Sequence, residues 1–237
     1  MLDAARFIAR RVLGASAPVA QTLSGQLAAM HRIEPDNAAT RACYEVFPTL
    51  PEVIALINAA PFLDAAKAAG LTRPAAGTNP LVRLDRPGDT RFTTPWHQDY
   101  WYSLLSERAV VIWMAIGALE ADMGPVELLP GSHATGLVPF KPYQDGHEWF
   151  ETAHAIDPAG LVTGLHDLDE ALIFDQRVLH RSGFNRSGRV RVAVQLRYND
   201  LDAAPVLTSS FTPSLSRHVL ERQRALLETD GAPNHAA

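Results

Sequence analysis

Residues Gly188–Asp200 read GRVRVAVQLRYND, and the fold turns on this stretch. Val190, Val192, Val194, Leu196 and Tyr198 alternate with Arg189, Arg191, Ala193, Gln195 and Arg197. Successive side chains of a strand point to opposite faces, so the alternation predicts one long strand with an apolar and a polar face. A polar face ordinarily meets solvent, whereas in a closed roll it lines a polar cavity. Alternation alone leaves both readings open.

Short strands precede it. EALIFD (170–175) and RVLH (177–180) are two of them, and PVELLPGSH (125–133) is another that runs into a Pro-Gly turn. RAVVIWMAIGAL (108–119) is apolar on both faces, as expected of a central strand covered on both sides. NPLVRLDRPG (79–88) is a strand stopped by Pro87-Gly88. Residues 136–165 read as loop, with a short helix around Trp149. The first third is helical. LPEVIALINAA (50–60) starts one helix, and PFLDAAKAAG (61–70) starts another with Pro61 in its first turn and Gly70 at its end. The opening MLDAARFIARRVL has the arginine and alanine content of a transit peptide, but Asp3 favours an ordinary amphipathic helix. A second amphipathic helix, about 213–229 with Ser214 as cap, closes the chain before a polar tail expected to be disordered. Helices followed by many turn-broken strands predict a mainly β fold, a sandwich or barrel with helices packed on one sheet. The 237 residues suit a single domain, with a helical part over 1–75 and a β core over about 79–200.

Composition narrows the function. A net charge of −5 and a pI near 6.0 give no electrostatic case for nucleic acid or an anionic membrane. No apolar run approaches the roughly 20 residues of a membrane span, and the expected location is the cytoplasm. Cys43 is the single cysteine, which excludes an internal disulfide and a multi-thiolate zinc site; it reads as a small buried hydrophobe. Lys67 and Lys141 are the only lysines, so the basic residues are almost all arginine, the side chain suited to forked carboxylate binding. There is no nucleophile elbow, phosphate loop or dinucleotide fingerprint.

Of the nine histidines, His97 in TTPWHQDYW (93–101) is the one with an aspartate two places on. Positions i and i+2 of a strand share a face, so His97 and Asp99 are placed to reach one ion. Two ligands do not complete a site. A non-haem Fe(II) centre needs a second histidine, and His180, between a strand and a turn-rich segment, is the candidate. His133 in PGSH reads as a turn residue. His147 and His154 do not form a zinc-protease helix, because residue 151 is glutamate. His31, His166, His218 and His235 have no partner at ligand spacing and read as surface residues.

Taken in order, WHQD, VIWMAI, LLPGSH and LHRSGFNRSGRVR resemble the phytanoyl-CoA dioxygenase family of Fe(II)- and 2-oxoglutarate-dependent oxygenases, over about Leu50 to Asn199. The resemblance implies a double-stranded β-helix, a cupin-like jelly roll with helices on its major sheet. It implies Fe(II) held by His97, Asp99 and His180, with 2-oxoglutarate and O2 as cosubstrates. An arginine eleven residues after the second histidine, here Arg191, would hold the far carboxylate of 2-oxoglutarate. That spacing turns the polar face of the last strand into the cavity, with Arg189 as the nearest competitor.

The same resemblance puts Ser182 and Trp113 at the cosubstrate with Gln98 nearby; each also has an ordinary role as turn, core or sheet-surface residue. Arg86 meets an anion or is simply solvated. If the strand continues past Asp99, Trp101 walls a substrate pocket; otherwise it belongs to a buried aromatic cluster. Arg83 and Arg197 either meet an acidic substrate or lie on the surface. Related halogenases lack the aspartate, so Asp99 points to hydroxylation, with desaturation and ring formation as variants. The chain departs from the family in lacking an early strand and in carrying Met123-Gly124-Pro125 where asparagine-glycine is usual. The expected partner is a small molecule, since no basic cluster suits the phosphates of coenzyme A. The competing reading is a catalytically silent metal-binding jelly roll acting as sensor or scaffold. Oligomeric state is not legible.

Overall fold

A computed structural model describes residues 1–34, 38–77, 80–90, 93–103, 106–143 and 150–203. The helix expected near Trp149, the closing helix over 213–229 and the tail lie outside the described residues.

Among the described residues, five α-helices come first: α1 (Leu2–Leu13), α2 (Leu23–Ile33), α3 (Ala38–Val46), α4 (Pro51–Ile54) and α5 (Ala60–Ala68). In α1 the buried positions are Ala5, Ile8 and Ala9, a stripe at helical spacing that packs against α2 and α3. Thr22 caps α2 by accepting from Gly25 N at 3.1 Å. The N-terminus of α3 is held by the buried Glu34, which accepts from the backbone N–H groups of Ala39 (2.6 Å) and Thr40 (2.9 Å). The stretch 50–60 is not one helix. After α4 it tightens into a 3-10 turn, Ala55–Asn58, so that Ala59 can extend and start α5 ahead of Pro61.

Ten strands and one short helix follow: β1 (Pro74–Ala76), β2 (Leu81–Asp85), α6 (Tyr100–Ser103), β3 (Ala109–Ala115), β4 (Glu127–Leu128), β5 (Phe140–Pro142), β6 (Phe150–Thr152), β7 (Val162–Thr163), β8 (Leu172–Asp175), β9 (His180–Arg181) and β10 (Arg191–Asp200). The 136–165 stretch therefore holds three short strands rather than loop alone. β10 organises the molecule. One edge pairs with β3 along its length, and β8 lies beyond β3. The other edge pairs with β2 and then β1, so the sheet has five strands, all antiparallel. A smaller antiparallel sheet runs β7-β4-β9, and an isolated bridge joins His97 to His180 of β9. The pair β5-β6 is separate.

The alternation in β10 now has two destinations. Val190, Val192, Val194, Leu196 and Tyr198 are buried in one core with α1, α2 and α3, and the Tyr198 hydroxyl donates to Ile57 O at 3.0 Å. Burying each such side chain contributes about 1.5–3 kcal/mol, which is what holds the helices to the sheet. The other face carries Arg191, Ala193, Gln195 and Arg197. Ala193 joins a second core with Val111, Trp113, Val126 and Phe174. The unusual Gly124-Pro125 pair crosses the backbone of Gly183-Phe184 so closely that a Cβ on Gly183 would lie 2.2 Å from Pro125 O. No single helix among the described residues is long and apolar enough to cross a membrane.

Candidate metal and cosubstrate site

His97 and His180 are brought together by the backbone. Each donates its N–H to the other's carbonyl at 3.0 Å, and their ring centroids are 4.1 Å apart. The Nδ1 of His97 lies 2.8 Å from Pro95 O and that of His180 lies 2.9 Å from Val178 O. A carbonyl only accepts, so both Nδ1 atoms carry a proton, and Nε2 is the nitrogen each ring turns toward Asp99. Nε2 of His180 is buried without a hydrogen-bond partner among the described residues. Burial, reinforced by the His97 ring, pushes its pKa down to about 3, so this imidazole is neutral at ordinary pH.

Asp99 completes the group. Its Oδ1 is 3.5 Å from His97 Nε2 and its Oδ2 is 3.9 Å from His180 Nε2. Burial opposes its ionisation, but the Arg197 guanidinium and the two histidines together outweigh that and hold the carboxyl well below the usual range. The three buried side chains offer ligand atoms within 4.8 Å of one another, the only such group found among the described residues. Two imidazoles and one carboxylate fit a divalent transition metal with open positions, of the kind found in non-haem Fe(II) centres.

A cavity of about 220 Å3 opens beside this group, lined from both sheets. Arg191 enters from β10. Its Nη2 donates to Asp85 Oδ2 at 2.7 Å, while its buried Nε and Nη1 have no hydrogen-bond partner among the described residues. A buried guanidinium at the cavity wall with N–H donors to spare beyond its pair with Asp85 fits a carboxylate. Arg189, the competitor, precedes the strand; its side chain is 43% exposed and pairs with Glu120 at 2.6 Å. Trp113 lies beneath Arg191, whose Cζ is 5.7 Å from the ring centre. Ser182 Oγ accepts from Thr94 N at 3.0 Å and lies 2.8 Å from Thr94 Oγ1 at the cavity wall.

Arg83 is not a surface residue. It is buried at the cavity, donating to Asp85 Oδ1 at 3.1 Å and to Ser182 Oγ at 3.4 Å. Arg197 also lines the cavity, forked onto Asp99. Three of the named residues lie elsewhere. Gln98 is fully buried and spends its amide on Gly136 O, Arg177 O, Trp101 Nε1 and Val138 N, so it braces the loop instead of facing the cosubstrate space. Arg86 is buried in the turn after β2 and pairs with Asp89, outside the cavity. Trp101 does not share the face of His97 and Asp99, because α6 begins where the strand was expected to continue; its ring stacks on Phe140 at 4.9 Å. His166 is likewise packed, its Nε2 accepting from Ala115 N at 3.2 Å with its ring edge-on to Trp113.

The cavity also uses residues that sequence reasoning passed over. Tyr102 reaches it through the turn of α6, and its ring meets His97 edge-on at 5.8 Å. Asp85 sits behind Arg83 and Arg191 and is kept ionised by both: burial opposes its charge, and Arg191 then Arg83 outweigh burial. The Arg83-x-Asp85 spacing on one strand face was the available signal for it.

No curated protein matches the chain in sequence. Among solved structures it is similar to EvdO2 from Micromonospora carbonacea var. aurantiaca, at 22% identity over 66% of this chain and 69% of that one, with a TM-score of 0.51; EvdO2 has also been solved complexed with 2-oxoglutarate. It is similar to the non-heme monooxygenase ThoJ in its apo form, at 18% identity over 98% and 89% of the two chains, with a TM-score of 0.55, and to a ThoJ-Ni complex with a TM-score of 0.52. At these identities the likeness concerns the fold. Residues 22–193 match the family described as phytanoyl-CoA dioxygenase (PhyH), and with most of its length matched, the chain belongs to that family of Fe(II)- and 2-oxoglutarate-dependent oxygenases.

Proposed function

We propose that the protein is an Fe(II)- and 2-oxoglutarate-dependent dioxygenase that hydroxylates an unactivated C–H bond of a small metabolite and releases succinate and CO2. One observation carries the reading: Arg191, a buried guanidinium with two nitrogens left without a hydrogen-bond partner among the described residues, lines the same cavity of about 220 Å3 as the buried His97, Asp99 and His180. A metal site used only for binding or hydrolysis has no need of that arginine.

His97, Asp99 and His180 would hold Fe(II) by two imidazole nitrogens and a carboxylate. Arg191 would take the far carboxylate of 2-oxoglutarate in a charge-assisted fork, with Trp113 as the floor and Ser182 and Thr94 as hydroxyl partners. Bound together, iron and 2-oxoglutarate supply the oxidising power for O2-dependent C–H hydroxylation. The chain's part is to fix the geometry and keep the site dry. His180 and Asp99 are already buried from water, and the carbonyl partners of both Nδ1 atoms lock the rings. The limited cavity volume and the lack of a lysine cluster support a small metabolite over an acyl-CoA.

In this reading the five-stranded sheet and the β7-β4-β9 sheet, extended by the His97 bridge, are the two walls of one double-stranded β-helix, and the whole chain is one domain with its helices on the major sheet. Anaerobic addition of Fe(II) and 2-oxoglutarate is expected to give a weak visible charge-transfer band that is lost in His180→Ala. Absence of the band in folded, metal-loaded protein overturns the oxygenase reading.

A further inference from the structure

Arg197 lies on the same face of β10 as Arg191 but six residues on, about 20 Å along the strand at 3.3 Å per residue. It does not stand at the Arg191 end of the cavity. Its Nε donates to Asp99 Oδ2 at 3.0 Å and its Nη2 to Asp99 Oδ1 at 2.9 Å, with Nη2 also 3.3 Å from Gln195 Oε1. The two imidazoles approach the same carboxylate, His97 toward Oδ1 and His180 toward Oδ2. Asp99 is thus held between a guanidinium fork and the two histidine ligands.

That placement has a consequence for ligation. The terminal torsion of an aspartate is soft, so an unheld carboxylate can rotate its plane and offer one oxygen or both. A carboxylate that chelates an ion must turn both oxygens onto it, and the fork already engages both. Chelation would also consume a coordination position that a two-histidine, one-carboxylate centre keeps open. We infer that Arg197 is a positioning residue of the metal centre, holding Asp99 as a ligand through a single oxygen. The inference rests on the iron-centre reading above.

Charge alone predicts the opposite behaviour. A guanidinium repels a nearby divalent cation and competes with it for the carboxylate, so a purely electrostatic role means tighter metal binding once Arg197 is neutralised. Positioning means weaker binding, since lost outer partners of metal ligands typically cost about 10–100-fold in affinity.

The experiment is Co(II) titration of the full-length apoprotein, read by calorimetry and by the visible ligand-field bands, for wild type, Arg197→Met, Arg197→Lys and His180→Ala. Arg197→Met is expected to weaken Co(II) binding about 10–100-fold and to alter the band intensities. Arg197→Lys keeps the charge but not the fork, and is expected to restore thermal stability without restoring the affinity or the spectrum. Should Arg197→Met not fold, Arg197→Lys alone decides. Wild-type or tighter affinity with an unchanged spectrum in the Arg197 variants, beside a loss in His180→Ala, overturns the role of Arg197 and leaves the iron centre standing. Equal Co(II) binding by wild type and His180→Ala, or none by wild type, removes the iron centre and this inference with it.

Discussion

His97 and His180 are joined by two reciprocal backbone hydrogen bonds of 3.0 Å, although 83 positions separate them in the chain. The main chain, not the side chains, therefore brings the two imidazoles together. With that bridge in place the native state presents a preformed ligand set that the unfolded chain lacks. Metal added at 100 times its dissociation constant should then stabilise the fold by about 2.7 kcal/mol, a rise of several degrees in Tm. His180→Ala keeps the backbone bridge and should fold, yet show no metal-induced rise. Differential scanning calorimetry with and without Co(II) measures both. A metal-dependent rise that survives His180→Ala would place the ion elsewhere.

Arg191 and Arg189 are two residues apart and differ in everything that matters for a ligand. One is buried at the cavity wall with two nitrogens unpartnered among the described residues; the other is half out in solvent beside Glu120. Arg191→Ala should raise the Kd of 2-oxoglutarate by at least about 30-fold, the size of losing a buried charge-assisted pair of about 2 kcal/mol or more. Arg189→Ala removes an exposed pair worth about 0–1 kcal/mol to stability and should leave that Kd within about twofold. Equal effects in anaerobic binding titrations would refute the assignment.

The distinction between those two arginines shows where sequence reasoning stops. Period-two alternation in 188–200 correctly sorted the apolar core residues from the cavity-facing set, because a strand buried on one face must obey it. It could not tell Arg189 from Arg191, since β10 begins only at Arg191 and strand ends have no sequence mark here. Trp101 takes the second of its two readings, the buried aromatic cluster, for a related reason. Tyr102 N reaches back to Asp99 O at 3.0 Å, which curls the chain into α6 and brings Tyr102, not Trp101, to the cavity. The Arg83-x-Asp85 spacing marks Asp85 as sharing a face with Arg83, but its place opposite Arg191 comes from the β2–β10 register, a long-range pairing that no local pattern encodes. Gln98 lies between His97 and Asp99, yet its amide ties down loops from residues 136–138 and 177.

Gly183 is constrained by backbone rather than by side chains. A Cβ there would sit 2.2 Å from Pro125 O and 2.8 Å from Gly124 C, neither of which can rotate away. Gly183→Ala should cost about 1–3 kcal/mol of stability, toward the upper end, and shift Ser182 against the cavity. Gly188→Ala is the control, because nothing lies within 4 Å of its added Cβ and its effect should stay within about 0.5 kcal/mol. Chemical denaturation of the two variants tests the contrast; equal costs would mean that the crossing at Gly124-Pro125 is looser than described.

Cys43 is fully buried in the helical core, and burial, aided by the nearby Glu34 carboxylate, pushes its thiol pKa up to about 12. In the unfolded chain the thiol ionises near pH 8.5–9. Between those values the unfolded state binds fewer protons than the native state, so stability must fall as pH rises, by about 1.4–2 kcal/mol at pH 10. Below pH 8 the thiol is protonated in both states and contributes no slope. Cys43→Ala removes this term while leaving every other alkaline titration in place. Urea denaturation of both proteins at pH 8 and pH 10 should therefore give a smaller loss in the variant, and the native thiol should resist an aromatic disulfide reagent at pH 8 until the chain unfolds. Rapid labelling of folded protein, or parallel pH slopes for the two, would contradict a thiol sealed in the core.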